Sequence, residues 1–592
     1  MTHLNNSDKT GRRKFLLKSA AALGTGAVMM AESNLFPLSA AERSIENVGN
    51  GKEKKPFKKE SISVKNPYDI VITGGLVYDG TRALPFKGNV AIKDGKIRDI
   101  WEENGESLPV AREVIELGKD EVVSPGFIDI HTHTDTNLLE APLGDSRIYQ
   151  GITTDNGGNC GDSPFPYSDE YFASKKGSKR FGYPFWQNLD GFFDALEQKK
   201  IGINYSTLTG QGQLRSAVVG DNNVPCTKEQ LKKMCDILEM QLEMGSTGLS
   251  CGLEYAPGSY ASDEELTELC KIVAKHNKLF AIHMRNEDDR VEESVKEAIA
   301  IARNSGARLE ISHLKAQNAA NWHKGPNLVK LIEEGRRSGV DVAFDRYPYT
   351  GFSTGLTSFI PLNDRQGSNA EILARLEDKK KSDEIGKYAR SRVERLGGPQ
   401  NVLIAACDAP ENKQFSGKTI KEICDMTGKE VWEQIRELLI SEKLGVQIVG
   451  FAMCDENINL FFSNPLGMPA SDGSVYSPYG RLGKEIPHPR SYGTFPRFFG
   501  KYVRENKVCD LQTAIYKCTG LPASRLGFKD RGLIKVGFVA DIVIFNPNTI
   551  IDVATFEKPH QGATGISAVI VNGQTTIRNG KHNGVFNGQV LR

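Results

Sequence analysis

Gly126-Phe127-Ile128-Asp129-Ile130-His131-Thr132-His133-Thr134-Asp135 is an apolar run that stops abruptly in two histidines. Phe127, Ile128 and Ile130 need a β-strand to bury them, and strand residues at i and i+2 point to the same side. His131 and His133 therefore form a candidate metal-ligand pair at a strand end. Two histidines make a short motif, so further ligands must come from elsewhere in the chain.

Strand-like apolar runs recur downstream, each ending in polar or glycine-rich residues, with helical stretches between them such as 228–244, 262–276, 290–305 and 327–338. Eight candidate strands, 126–131, 152–156, 203–209, 248–252, 279–283, 308–313, 341–345 and one entering 468–472, predict an α/β fold. Its centre is a TIM-type (β/α)8 barrel, whose chemistry belongs at the C-terminal strand ends. The span between Phe352 and Phe462 is too long for one βα loop. It predicts an inserted subdomain, about residues 353–462, before the last barrel strand and over the barrel mouth. Short strands with tight turns occur at both chain ends, around Ile70-Val71-Ile72-Thr73 and 89–97, then around 540–545 and 567–578. Neither set closes a sandwich alone, so residues 67–123 and 521–592 are expected to combine into one small β-sandwich flanking a barrel of 124–520.

At 592 residues the chain exceeds one compact core. A net charge of +1 offers no field for nucleic acid or an anionic membrane, so neither is an expected partner. Ten cysteines without a CxxC pair argue against a disulfide scaffold. Residues 1–42 resemble a twin-arginine signal peptide, with Arg12-Arg13 before a weakly apolar stretch from Ser19 to Met30. That stretch falls short of the ~20 residues that span a bilayer, so no stable membrane span is expected. Export to the periplasm by the twin-arginine machinery is expected instead. Residues 43–66 include a lysine-rich solvated linker.

Two more histidines close predicted strands: His283 in Ala281-Ile282-His283-Met284 and His313 in Ile311-Ser312-His313-Leu314. His3, His276 and His582 read as tail, helix-surface and terminal residues. Cys160 lies in the turn Gly157-Gly158-Asn159-Cys160-Gly161 after the second strand, where a core cysteine is out of place, and a thiolate beside imidazoles is a good zinc ligand. Asp472, in Ser471-Asp472-Gly473 after the last strand, offers a carboxylate that can take a proton from water and return it to a leaving amine.

Further segments are Gly248-Leu249-Ser250-Cys251-Gly252-Leu253-Glu254-Tyr255, Tyr347-Pro348-Tyr349-Thr350 and His488-Pro489-Arg490-Ser491-Tyr492-Gly493. Together with the turns around His131, Cys160 and Asp472, they resemble the amidohydrolase superfamily, and within it the D-aminoacylase (N-acyl-D-amino-acid deacylase) family, from about Tyr68 to the C-terminus. The resemblance implies a tight zinc on Cys160, His283 and His313 and a second, weaker metal position at His131 and His133. It implies Asp472 as general acid/base, and Lys315, Tyr347 and Arg490 as holders of the substrate carboxylate. The implied reaction is hydrolysis of an N-acyl-D-amino acid to a carboxylate and a free D-amino acid, the D configuration resting on the resemblance alone.

Opening of a cyclic amide, as in hydantoinases and dihydroorotases, and dipeptide hydrolysis are the alternatives within the superfamily. Cyclic amidohydrolases usually bridge two metals with a carbamylated lysine, and the fourth strand end has no lysine; Glu254 is its nearest acidic group. A catalytically inactive binding protein is the alternative from another class, against which the retained ligands and Asp472 speak. Two departures from the family pattern are Gln211-Gly212 after the third strand, where a histidine is frequent, and Asp162, where an apolar residue is common.

Overall fold

The computed structural model describes residues 67–105 and 107–592; the twin-arginine segment and the linker of residues 43–66 lie outside the described residues. At its centre are eight parallel strands, Phe127–Asp129 (β1), Ile152–Gly157 (β2), Asn204–Thr207 continuing as Thr209–Gly210 (β3), Gly248–Gly252 (β4), Leu279–His283 (β5), Arg308–Ile311 (β6), Val342–Arg346 (β7) and Gly467–Pro469 (β8). Each pairs in parallel with the next. The expected barrel is thus present. Its strands are fully buried because helices cover the outer face and side chains fill the interior.

The barrel has two irregular seams. β3 breaks at Leu208, so its first half pairs with β2 and its second with β4. Beside the first half run residues of the C-terminus: Val590 bridges Tyr205, and the Leu591 amide donates to the Tyr205 carbonyl at 2.8 Å. The other seam, between β8 and β1, closes through the segments that follow both strands. The Asp472 amide donates to the His131 carbonyl at 2.9 Å and the His133 amide to the Gly473 carbonyl at 2.7 Å. β1 and β8 are therefore shorter than their apolar runs predict, since the chain past Asp129 and Pro469 is spent on carrying functional side chains.

Outer helices start and stop on local signals. Lys228–Glu243 opens on a Thr227/Gln230 capping box, Asp263–Lys275 on Ser262, and Val291–Ser305 ends at Gly306 in the left-handed conformation. Their apolar stripes, with Leu266, Val273, Val295 and Ala302, pack with strand residues Leu249, Phe280 and Leu309 in one cluster.

Segments from both sides of the barrel build one nine-stranded sheet, in which Ile70, Val90 and Ile115 share a core with Ile542, Ala568 and Ile570 while Val543, Phe545 and Val569 pack with barrel residues. Strand Tyr68–Val77 pairs with Ala111–Glu116 before Gly74 and with Val122–Pro125 after it. Gly74 has φ +91°, a conformation that glycine supplies without strain. Residues from the C-terminal side enter this sheet at Ile542–Phe545. The preceding helix Gly520–Leu526 instead shares a core with Ile128, Leu279 and Ala343 of the barrel.

Between β7 and β8 the chain makes a three-stranded antiparallel sheet, Gly351–Gly355, Gln447–Phe451 and Val402–Ala406 in that order. Helices Asn369–Glu377, Lys379–Arg395, Ile420–Thr427 and Val431–Ser441 belong to the same insertion, and their apolar faces share a core of their own.

Candidate active site

Every polar residue singled out in the sequence comes from the C-terminal end of a barrel strand or the loop after it. His131 and His133 follow β1, Cys160 follows β2, His283 ends β5, His313 and Lys315 follow β6, Tyr347 follows β7, and Asp472 follows β8. Arg490 begins helix Arg490–Arg497. Cys160, His313 and Asp472 have φ of 54°, 36° and 49°. Three non-glycine residues in left-handed backbone at one rim are strain stored where function is expected. Close approach sustains the Cys160 turn: a Cβ on Gly252 would lie 1.9 Å from the Cys160 carbonyl oxygen.

Two donor sets share one thiol. The ligand atoms of Cys160, His283 and His313 lie within 4.8 Å of one another, and so do those of His131, His133, Cys160 and Asp472. Cys160 Sγ is 3.4 Å from both His131 Nε2 and His313 Nε2, and Asp472 Oδ1 is 3.1 Å from His133 Nε2 and 3.5 Å from His131 Nε2. A third set, Glu254, His283 and Glu287, adjoins them, with Glu254 Oε2 3.5 Å from His283 Nε2.

Electrostatics bind the cluster together. Burial opposes charge on the Cys160 thiol, yet His131 and His313 hold it well below the ordinary thiol range. Burial likewise opposes charge on His131 and His133. Asp345 and Cys160 raise His131 well above the ordinary range, while Asp472 and Cys160 raise His133 to about 10. Asp472, despite burial, is held well below the ordinary carboxylate range, chiefly by Arg490. These groups keep protons on imidazoles packed against a thiolate and a carboxylate, and a divalent cation takes the place of such protons when it binds. His283 is buried, and its Nε2 faces the Glu254 carboxylate at 3.5 Å and the Cys160 thiol, a setting that suits a metal ligand. Thiolate and imidazole donors together fit zinc.

A cavity of about 770 Å³ opens over this cluster, bounded on its far side by Ser353, Thr354, Arg392 and Gln447 of the insertion. Arg490 lines it and donates from Nη1 to Asp472 Oδ2 at 2.8 Å. Tyr347 is buried, its hydroxyl has no partner, and its ring lies 4.9 Å from the Arg490 guanidinium. Lys315 also faces the cavity, with Nζ 2.6 Å from both Glu287 Oε1 and His313 Nδ1. Asp162 lines the cavity as well, whereas Gln211 turns away and donates to Glu265 at 3.3 Å.

Several members of the site are not evident from sequence. Asp345, at the end of the seventh strand, accepts from the His313 amide at 2.8 Å and lies 3.3 Å from His131 Nδ1. It is the kind of outer carboxylate that orients a ligating imidazole; a charged residue closing an apolar strand is the signal that could have found it. Glu287 joins Lys315, His313 and Gln317 from a loop, with Gln317 Nε2 at 2.8 Å, and has no local signature. The Tyr255 ring centroid lies 4.8 Å from that of His283.

Comparison with known proteins agrees with this geometry. Residues 471–577 match the Amidohydrolase family. N-acyl-D-glutamate deacylase from Alcaligenes xylosoxydans xylosoxydans is 32% identical over 85% of this chain and 93% of its own length. D-aminoacylase from the same organism is 30% identical over 90% of this chain and 99% of its own. The crystal structure of N-acyl-D-glutamate deacylase from Bordetella bronchiseptica, complexed with zinc and a phosphonate inhibitor, superposes with a TM-score of 0.73 at 31% identity, covering 89% of this chain and all of that one. With the barrel, the composite β-sandwich and the thiol-bearing rim on which it is built, this chain belongs to the D-aminoacylase family of the amidohydrolase superfamily.

Proposed function

We propose that this protein hydrolyses the amide bond of N-acyl-D-amino acids, releasing a carboxylate and a free D-amino acid, with Asp472 as general acid/base. The observation that carries the reading is the convergence of Cys160, His283 and His313 beside a carboxylate that Arg490 keeps ionised. Relatives named for acidic and other D-amino-acid derivatives support the substrate class.

Cys160, His283 and His313 would hold a zinc ion, with His131 and His133 lining a second position, and such an ion would supply Lewis acidity for activating water and an acyl carbonyl. The rest is the work of the chain. Ionised and beside the ligand cluster, Asp472 removes the proton from the attacking water and returns it to the departing nitrogen. Arg490 can pair bidentately with the substrate carboxylate, while the unpartnered Tyr347 hydroxyl and Lys315 add a hydrogen bond and a charge. The wall of the insertion limits access of bulk water.

A panel of N-acetyl-D-amino acids, their L-isomers and cyclic amides, assayed with zinc-loaded protein, tests the reading. Release of amine from D-substrates ahead of the L-isomers is expected, and chelation should abolish it. Equal rates on both isomers, or turnover of cyclic amides alone, would sink it. We also propose, from Arg12-Arg13 and the apolar stretch behind them, that the precursor is exported by the twin-arginine machinery. Activity confined to the cytoplasmic fraction of expressing cells would contradict that.

A further inference from the structure

Beneath the rim, outside the cavity lining, lies a guanidinium with no part in the chemistry so far. Arg147, in the one-turn helix Asp145–Ile148, is completely buried. Its Nη1 donates to Ser471 Oγ at 3.0 Å and its Nη2 to the Gly473 carbonyl at 2.7 Å. These are the two neighbours of Asp472. Asp129 and Asp155, also fully buried, balance its charge at 3.6 and 3.0 Å. Asp129 accepts in addition from the Ser471 amide at 3.0 Å, so one cation joins the ends of β1 and β2 to the turn after β8.

Asp472 needs such a grip. Its φ of 49° is costly for a residue with a side chain and persists only where its surroundings over-determine it. Ser471 Oγ, held by Arg147, accepts from the Gly473 amide at 3.1 Å and so closes the turn over Asp472. The Gly473 carbonyl is shared between Arg147 and the His133 amide, which ties the turn to a ligand segment. A planar fork can hold two acceptors at a fixed spacing, and an ammonium on a flexible stem cannot. Buried ion pairs are weak evidence for stability alone, which makes a role in fixing one conformation the stronger account of this one.

We propose that Arg147 is a positioning residue: it holds the left-handed turn that aims the Asp472 carboxylate at the metal cluster. The inference rests on the acid/base role proposed for Asp472.

The test is Arg147→Lys, which keeps the charge and loses the fork. In the zinc-loaded enzyme, with the best N-acetyl-D-amino acid of the panel, kcat should fall about tenfold to a hundredfold, the scale of a reacting group misplaced by about 1 Å. KM and zinc content should not change. Arg215→Lys is the control: Arg215 is equally buried, is ion-paired with Glu265 and lies outside the cavity lining, so it should lower the melting temperature and leave kcat alone. An unchanged kcat in folded Arg147→Lys, or a loss matched by lost zinc, overturns the inference. If Arg147→Lys does not fold, Ser471→Ala removes one of the two gripped atoms and should lower kcat at constant KM; an unchanged kcat there overturns it equally. A fully active Asp472→Asn would defeat the acid/base role itself. An inactive Asp472→Asn beside an unimpaired Arg147→Lys defeats only the positioning role.

Discussion

At the N-terminal ends of the barrel strands, Lys517 is buried and donates to the carbonyls of Phe462, Asn464 and Gly467 at 2.7, 2.5 and 2.9 Å. Nearby Arg525 bonds Asp341 Oδ1 at 2.6 Å and the Leu309 carbonyl at 2.5 Å. At the C-terminal ends, the buried Tyr347 hydroxyl has no partner, and Cys160, His313 and Asp472 are held in left-handed backbone. Buried polar groups are normally satisfied because leaving one unpaired costs about 1–3 kcal/mol. One end of the barrel is thus tied together by cations of the chain itself, whereas the other gathers donors that fit an ion and a substrate. The strands between them are a rigid mount that lets the second end bear its cost.

Three substitutions test this division, from the largest effect to the smallest. Asp472→Asn preserves shape and removes the base, so kcat should fall by about 10² to 10⁴-fold, the range of general acid–base catalysis, with zinc content retained on metal analysis. A variant that lost zinc in step with activity would reassign Asp472 to metal binding. Arg490→Gln should raise KM for the carboxylate substrate. It should also move the acidic limb of the kcat/KM profile to higher pH. The sign follows from the ion pair: Arg490 holds the Asp472 pKa down, its removal lets that pKa rise, and the base form is then lost at a higher pH. A limb that stays in place would detach the arginine from the acid/base group. Lys517→Met acts at the other end and should cost about 1–3 kcal/mol of stability, read as a lower melting temperature, with kcat and KM unchanged. A kcat effect there would show that the two ends are not independent.

How far the site could be read in advance depended on the range of each interaction. His131, His133, His283 and His313 were legible because each terminates an apolar run, and a barrel strand ending in a polar residue aims it at one rim. Cys160 was legible from the glycines around it, which permit the close turn. Asp345 and Glu287 are not legible, because the hydrogen-bond partners that define them lie 32 and 214 residues from Asp345 and 26 to 30 from Glu287, and no local pattern records such pairs. Arg147 reads as an ordinary charged residue before Ile148, and only the tertiary fold brings it to Ser471, 324 residues further along the chain. The break in β3 at Leu208 is likewise hidden within one strand-like run, since the C-terminal residues that pair with its first half at Tyr205 approach from the far end of the chain.

By itself the sequence determined which elements form and which residues reach the rim, because helix and strand periodicity, capping and turn chemistry act over a few residues. Only the tertiary structure decided how those rim residues share protons, which of them are left unpartnered, and what grips the strained turn at Asp472. Those properties depend on distances of 3 to 4 Å between groups tens to hundreds of residues apart, and folding alone brings them together.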